Sequence, residues 1–102
     1  MQTAEVVLLN KSGLHARPAA LFCRLALKQP ATVQLENLTR GVGPVDGKRM
    51  LSVLTLGVEA GHRLRISVDG PDEEAVMAEL LEAIHAGLGE AEADSPGVAQ
   101  GR

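Results

Sequence analysis

The sequence predicts an α+β fold, an open-faced β-sandwich in which a four-stranded antiparallel sheet carries three helices on one face. Segments with strand-like apolar patterns and segments with apolar residues at helical spacing follow one another in the order βαββαβα. Gly or Pro residues separate most of these segments, and a polar turn, residues 37–40, is predicted between the second and third strands. A chain of 102 residues has room for a single modest core, so one domain is expected.

Four segments are predicted as strands: residues 2–9, 32–36, 41–45 and 63–68. The first ends in a continuous apolar run, residues 6–9, which is expected to be covered. In the second and fourth strands apolar and polar residues alternate, so the following side chains are expected to point inward: Val33, Leu35, Leu64, Ile66 and Val68. Pro44 has no N–H to give to a sheet, which predicts an edge position for the third strand.

Three segments are predicted as helices: residues 16–28, 48–57 and 71–88. In the first helix, Ala20, Leu21, Leu25 and Ala26 are expected on the buried face with Phe22 beside them, and Cys23 is interpreted as a core residue. The buried stripe of the third helix is expected to comprise Val76, Leu80, Leu81, Ile84 and Leu88. His62 is expected in a solvated turn, and His85 is expected to face solvent.

Composition excludes several classes of function. Ten basic and 13 acidic residues give a formal net charge of −3, which argues against a nucleic-acid-binding face. No apolar run is long enough to insert into a membrane, and no signal sequence is evident. A single cysteine excludes an internal disulfide and fits a cytoplasmic location. The three histidines are scattered, so neither a metal site nor another cofactor is expected.

The chemistry is concentrated in residues 12–20, which comprise the end of the loop after the first strand and the start of the first helix. Pro18 suits a first helical turn, so His15 is predicted at or beside the N-cap. Unpaired N–H groups and the helix dipole favour an anion there and keep an imidazole neutral. With Arg17 two residues on, His15 is suited to accept a phosphoryl group. On spacing alone, a surface or capping histidine is the commoner alternative.

Residues 13–19 (GLHARPA) resemble the active-site signature of HPr, the histidine-containing phosphocarrier family of the bacterial sugar phosphotransferase system. Residues 52–58 (SVLTLGV) resemble the family's second helix and its exit. The resemblance implies that His15 takes a phosphoryl group on Nδ1 from phosphorylated enzyme I and passes it to a sugar-specific enzyme IIA. Arg17 and the N–H groups of Ala16 and Arg17 would hold the phosphoryl group. Ser12 would add a hydrogen bond there or serve only the loop.

The same resemblance implies a domain over residues 1–90, followed by a tail, residues 91–102, that composition predicts to be disordered. It places partner contacts on Met50 and Leu51, with Arg49 at the rim, in a monomeric carrier. Arg49 occupies the place where some family members carry a regulatory serine, so that switch is expected to be absent. Two alternatives stay open: a carrier for a nitrogen-linked or dihydroxyacetone-kinase phosphorelay, and a regulator that binds partners without phosphate.

Overall fold

The fold is an antiparallel sheet with helices packed against one side, as the sequence predicts. The computed structural model describes residues 1–90, and its elements are β1 (Gln2–Val7), α1 (Ala16–Leu27), β2 (Thr32–Asn37), β3 (Val42–Asp46), α2 (Met50–Thr55), β4 (Arg63–Asp69) and α3 (Glu73–His85). The strands lie in the order β1-β4-β2-β3, and every pair is antiparallel. The predicted α+β open-faced sandwich is confirmed, and the strand containing Pro44 is at an edge. The predicted tail, residues 91–102, lies outside the described residues.

The strand register separates a buried face of the sheet from an outer face. Ala4, Ile66 and Leu35 share one row on the inner face, while Glu5, Arg65 and Glu36 share the neighbouring row on the outer face. The five residues predicted to point inward are all fully buried: Val33, Leu35, Leu64, Ile66 and Val68. Because side chains alternate between the two faces of a strand, the alternating sequence pattern was sufficient to predict this face.

The end of β1 departs from the prediction of a covered strand up to residue 9. The strand ends at Val7, and Val7 and Leu9 are exposed on either side of the fully buried Leu8. Val7 pairs with Arg63, which puts its side chain on the outer face. The continuous apolar run predicted a strand that is covered on both faces, and this was wrong because helices cover only one face of the sheet.

The buried face of α1 is rotated relative to the predicted face. The buried residues are Pro18, Ala19, Phe22, Cys23 and Ala26. The prediction is confirmed for Ala26 and Cys23. It was wrong to place Ala20, Leu21 and Leu25 on the buried face, because these three residues are only partly buried. Small residues surround Phe22 on this face, and Phe22, which is fully buried, belongs to the core cluster together with Ala19, Cys23 and Ala26.

The second and third helices are shorter than predicted. The six-residue α2 buries Val53 and is followed by the buried Leu56, while Leu51 is 77% exposed. α3 ends at His85, which is exposed, and Leu88 is buried beyond the helix end. Gly87 takes a positive φ of 91°, a conformation that suits glycine and ends the helix. None of the helices within residues 1–90 has the length and apolar character to span a membrane.

Candidate functional site

His15 is the N-cap of α1, which begins at Ala16, as the sequence predicts. Its backbone is extended (φ −126°, ψ 158°), and its side chain makes no capping hydrogen bond. The ring is 36% exposed, so it is held at the surface and not in the core. A histidine in this place leaves the first N–H groups of the helix free and keeps its own ring available for chemistry.

The first turn of α1 presents unoccupied hydrogen-bond donors beside His15. Within residues 1–90, the backbone N–H groups of Ala16 and Arg17 donate to no acceptor. Arg17 is exposed, and its guanidinium makes no ion pair or hydrogen bond in the described part of the chain. Ala16 has a φ of +50°, a left-handed conformation in which a residue with a Cβ is strained. These donors and the positive helix end suit a phosphoryl group.

The ring of His15 contacts a carboxylate that the sequence analysis did not single out. Nε2 of His15 lies 3.0 Å from Oε2 of Glu59, a residue in the loop after α2. An ionised carboxylate can only accept, so this contact assigns the proton of the neutral ring to Nε2. The lone pair then lies on Nδ1, which makes no hydrogen bond within the described residues. The two residues are 44 positions apart, so no local pattern could have paired them.

The loop of Glu59 is fastened to the loop of His15 by the backbone. The N–H of Leu14 donates to the carbonyl of Val58 over 2.9 Å. Gly13, with a φ of +57°, packs so closely on Val58 and Glu59 that a Cβ would overlap their backbone atoms. This close contact and the positive φ explain why the first residue of the GLHARPA segment, residues 13–19, is a glycine.

His62 supports the same loop and is not the solvated turn residue that was predicted. Its ring is partly buried, and Nδ1 lies 3.1 Å from the N–H of Glu59, which donates to it. The side-chain amide of the buried Asn37 lies 3.2 Å from the same nitrogen. Asn37, predicted in a polar turn, is the last residue of β2. Polar residues in a loop sequence were assumed to face water, but here they satisfy one another.

Ser12, predicted to hold phosphate or to serve the loop, is bonded to Glu90. Its N–H and its hydroxyl each donate to the Glu90 carboxylate over 2.8 Å, and the Asn10 amide donates over 3.2 Å. Desolvation alone would raise the pKa of Glu90, but the hydrogen bonds from Ser12 and Asn10 outweigh it and leave the pKa below its usual value. The phosphate-binding role of Ser12 stays a prediction, and it requires this contact to open.

The predicted partner-binding residues lie together at the start of α2. Arg49 is the N-cap and is exposed, Met50 is partly buried, and Leu51 is the most exposed large apolar residue in residues 1–90. α2 packs against α1, the helix that carries His15 at its N-cap. α2 therefore contributes to the core through Val53, which is fully buried, and to the surface through Leu51.

The open-faced sandwich with a histidine at the exposed N-cap of its first helix defines a class of histidine phosphocarriers. Residues 2–86 match the sequence model of the family described as "PTS HPr component phosphorylation site". The match covers most of the chain, and the chain belongs to the HPr family of phosphocarriers of the phosphotransferase system.

Individual relatives agree with this membership. The chain is 33% identical over 85 residues to the phosphocarrier protein HPr of Pseudomonas aeruginosa, which covers 83% of this chain and 92% of that protein. The crystal structure of HPr-C-His from Thermoanaerobacter tengcongensis superposes with a TM-score of 0.82 at 34% identity, over 89% of this chain and 99% of that one.

A second group of relatives is much longer. The multiphosphoryl transfer protein of Vibrio cholerae is 40% identical over 88 residues, which are 86% of this chain and 22% of that protein. The chain thus spans about a fifth of the length of the multiphosphoryl transfer proteins that it matches.

Proposed function

We propose that this chain accepts a phosphoryl group on Nδ1 of His15 from phosphorylated enzyme I and passes it to a sugar-specific enzyme IIA, in the cytoplasm. The observation that carries the proposal is the position of His15 as the N-cap of α1, beside the unoccupied N–H groups of Ala16 and Arg17. Membership of the HPr phosphocarrier family supports it.

The chemistry follows from the donors around the ring. The lone pair on Nδ1 attacks phosphorus in the donor's phosphohistidine, and the N–P bond of the donor breaks. The N–H groups of Ala16 and Arg17 and the guanidinium of Arg17 would hydrogen-bond the phosphoryl oxygens as the group arrives. The two backbone N–H groups are held in place by α1, so they need little reorganisation at the moment of transfer.

The exposed start of α2 is the proposed docking surface for both protein partners. Leu51 is an apolar side chain without a partner in the described residues, and Arg49 beside it offers a positive charge. A partner with an apolar depression and an acidic rim would fit both. The chain itself acts as a monomer in this proposal, and the partners supply the remaining catalytic groups.

The test is phosphorylation from phosphoenolpyruvate by enzyme I, followed by transfer to enzyme IIA. We expect one acid-labile phosphate per chain in the wild type and none in His15→Ala. His85→Ala removes an exposed histidine from α3 and should leave labelling unchanged. Arg17→Ala should slow phosphorylation by about tenfold or more, because a charge-assisted hydrogen bond to the transferred group is lost.

Other outcomes of the same assay would redirect or overturn the proposal. Labelling by a nitrogen-pathway enzyme I, or transfer to a dihydroxyacetone kinase component alone, would support the alternative phosphorelays. If no enzyme I homologue labels the wild type, the carrier proposal is wrong and the chain is a binding protein that works without phosphate.

A further inference from the structure

We infer that Glu59 is the residue that positions His15 for phosphoryl transfer, by holding the proton of its ring on Nε2. The inference rests on the proposed transfer at His15 and adds a residue from a different part of the chain. It assigns a role to the loop that follows α2 and carries Glu59.

The contact is short, and within residues 1–90 the side-chain carboxylate of Glu59 has no other hydrogen-bond or ion-pair partner. Oε2 of Glu59 lies 3.0 Å from Nε2 of His15, within the range of a charge-assisted hydrogen bond. No Lys or Arg side chain pairs with Glu59 within residues 1–90. A surface carboxylate that served only the ion-pair network of the fold would be expected beside a permanent cation, as Glu5 is beside Arg63 and Arg65.

The backbone of Glu59 is fixed on both sides, so its side chain starts from a defined point. Its N–H donates to Nδ1 of His62 over 3.1 Å, and its carbonyl accepts the N–H of His62 over 3.0 Å. The preceding carbonyl, of Val58, accepts the N–H of Leu14, next to His15. The carboxylate and the ring therefore belong to two loops that are bonded to each other, which limits their relative movement.

This geometry has a direct chemical consequence. With the proton held on Nε2, the nucleophilic lone pair lies on Nδ1. When Nδ1 forms the bond to phosphorus, the bond between phosphorus and the donor's nitrogen breaks, and its electron pair stays on that nitrogen. The ring of His15 keeps its Nε2 proton and gains one positive charge, which the Glu59 carboxylate stabilises. The reverse sequence, with a nitrogen of the acceptor as the nucleophile, returns the ring to its neutral form.

Because Glu59 is 64% exposed, water screens the pair, and the effect should be moderate. Glu59→Gln should slow phosphorylation of His15 about three- to tenfold. The matched control is Glu79→Gln, which makes the same change of charge on the exposed face of α3. Glu59→Asp keeps the charge and should recover part of the rate.

A spectroscopic measurement separates positioning from a merely structural role. The ¹⁵N shifts of the His15 ring in the unphosphorylated protein, at about pH 8.5 where imidazole is neutral, report which nitrogen carries the proton. We expect the Nε2–H form alone in the wild type and in Glu79→Gln, and a mixture of the two forms in Glu59→Ala. The ¹H–¹⁵N spectra of the variants should otherwise match the wild type.

The outcomes distinguish the two proposals. If Glu59→Ala leaves both the ring shifts and the phosphorylation rate unchanged, Glu59 does not position His15, while the carrier function stands. If the wild type is never phosphorylated but the ring shifts change as expected, Glu59 positions the ring and the proposed transfer is wrong.

Discussion

At the scale of single residues, Gly13 is the position on which the geometry of the site depends most directly. Its φ of +57° is in the left-handed region, and a Cβ there would overlap the carbonyl oxygen of Val58. We expect Gly13→Ala to lower the free energy of unfolding by about 2–4 kcal/mol, since conformational strain and a backbone clash add. Urea denaturation monitored by circular dichroism measures this loss, because the chain has no Trp or Tyr whose fluorescence could report unfolding.

Gly41 provides the matched control for this substitution. It also has a positive φ, of +69°, but nothing lies within 4 Å of the place where its Cβ would be. Gly41→Ala should therefore lose only the conformational preference, about 1 kcal/mol. Equal losses at the two positions would show that the contact with the loop of Glu59 contributes nothing to stability.

At the scale of the elements, the end of α2 is held by two side chains, one from the last residue of β2 and one from the turn that follows it. The carbonyl of Leu56, the C-cap residue, accepts hydrogen bonds of 3.0 Å from the Asn37 amide and from Nη1 of Arg40. Gly57 follows with a φ of +58° and leaves room for the guanidinium. A six-residue helix cannot be stable by itself, so these contacts fix where it ends and where the loop of Glu59 begins.

Removing either contact should therefore loosen both α2 and the site. Asn37 is fully buried and also faces His62, so Asn37→Ala should lower the free energy of unfolding by about 2 kcal/mol. Arg40→Ala removes the exposed donor to the same carbonyl and should lower the free energy of unfolding by about 1 kcal/mol or less. Chemical denaturation of both variants checks this order, and a larger loss for Arg40→Ala would contradict it.

A second contact between elements, from Glu90 to Ser12 and Asn10, should make stability depend on pH. The pKa of Glu90 is lowered in the folded chain, so its ionised form is favoured by folding. Its contribution is therefore complete above the unfolded pKa, about 4.3, and is lost as the pH falls through the lower folded value. Glu90→Gln should destabilise the protein at pH 7 and should no longer differ from the wild type at about pH 2.

Glu79→Gln is again the appropriate comparison, because Glu79 is exposed and makes no hydrogen bond in the described part of the chain. The difference between the two variants, measured by urea denaturation across this pH range, isolates the Glu90 contact. A difference that persisted unchanged at the acid end would mean that ionisation of Glu90 is not involved.

At the scale of the whole molecule, the sequence predicted what has a local period and missed what is joined across the chain. The alternation through Leu64, Ile66 and Val68 specifies a buried face by itself, because a strand has only two faces. The start of α1 followed from Pro18 and the residues around it. The face of α1 did not follow, since Ala, Leu and Cys surround the helix and only the packing of the other elements decides which of them are covered.

The same limit applies to the candidate site. His15, Ala16 and Arg17 are neighbours in sequence, and a local argument was enough to bring them together. The contact of Ser12 with Glu90 spans 78 positions, and no pattern in a single sequence pairs residues at such a distance. Long-range polar contacts of this kind depend on loop packing, which follows from the complete fold.

The one cysteine of the chain offers a way to measure the opening of the whole core. Cys23 is 5% exposed on the inner face of α1, and burial, with a smaller contribution from the Asp46 carboxylate, raises the pKa of its thiol. The thiolate is the reactive form, so both access and ionisation oppose alkylation in the folded state. We expect iodoacetamide at about pH 8 to label Cys23 at least a hundredfold more slowly in the native protein than in urea. Leu51→Cys in a Cys23→Ala background supplies an exposed thiol on α2 that should react at the unfolded rate.

Because Cys23 packs in the same core cluster as Val33, Leu64 and Leu80, its reaction requires the helices to separate from the sheet. Rapid labelling of native Cys23 would mean that α1, and with it the His15 site, detaches without global unfolding.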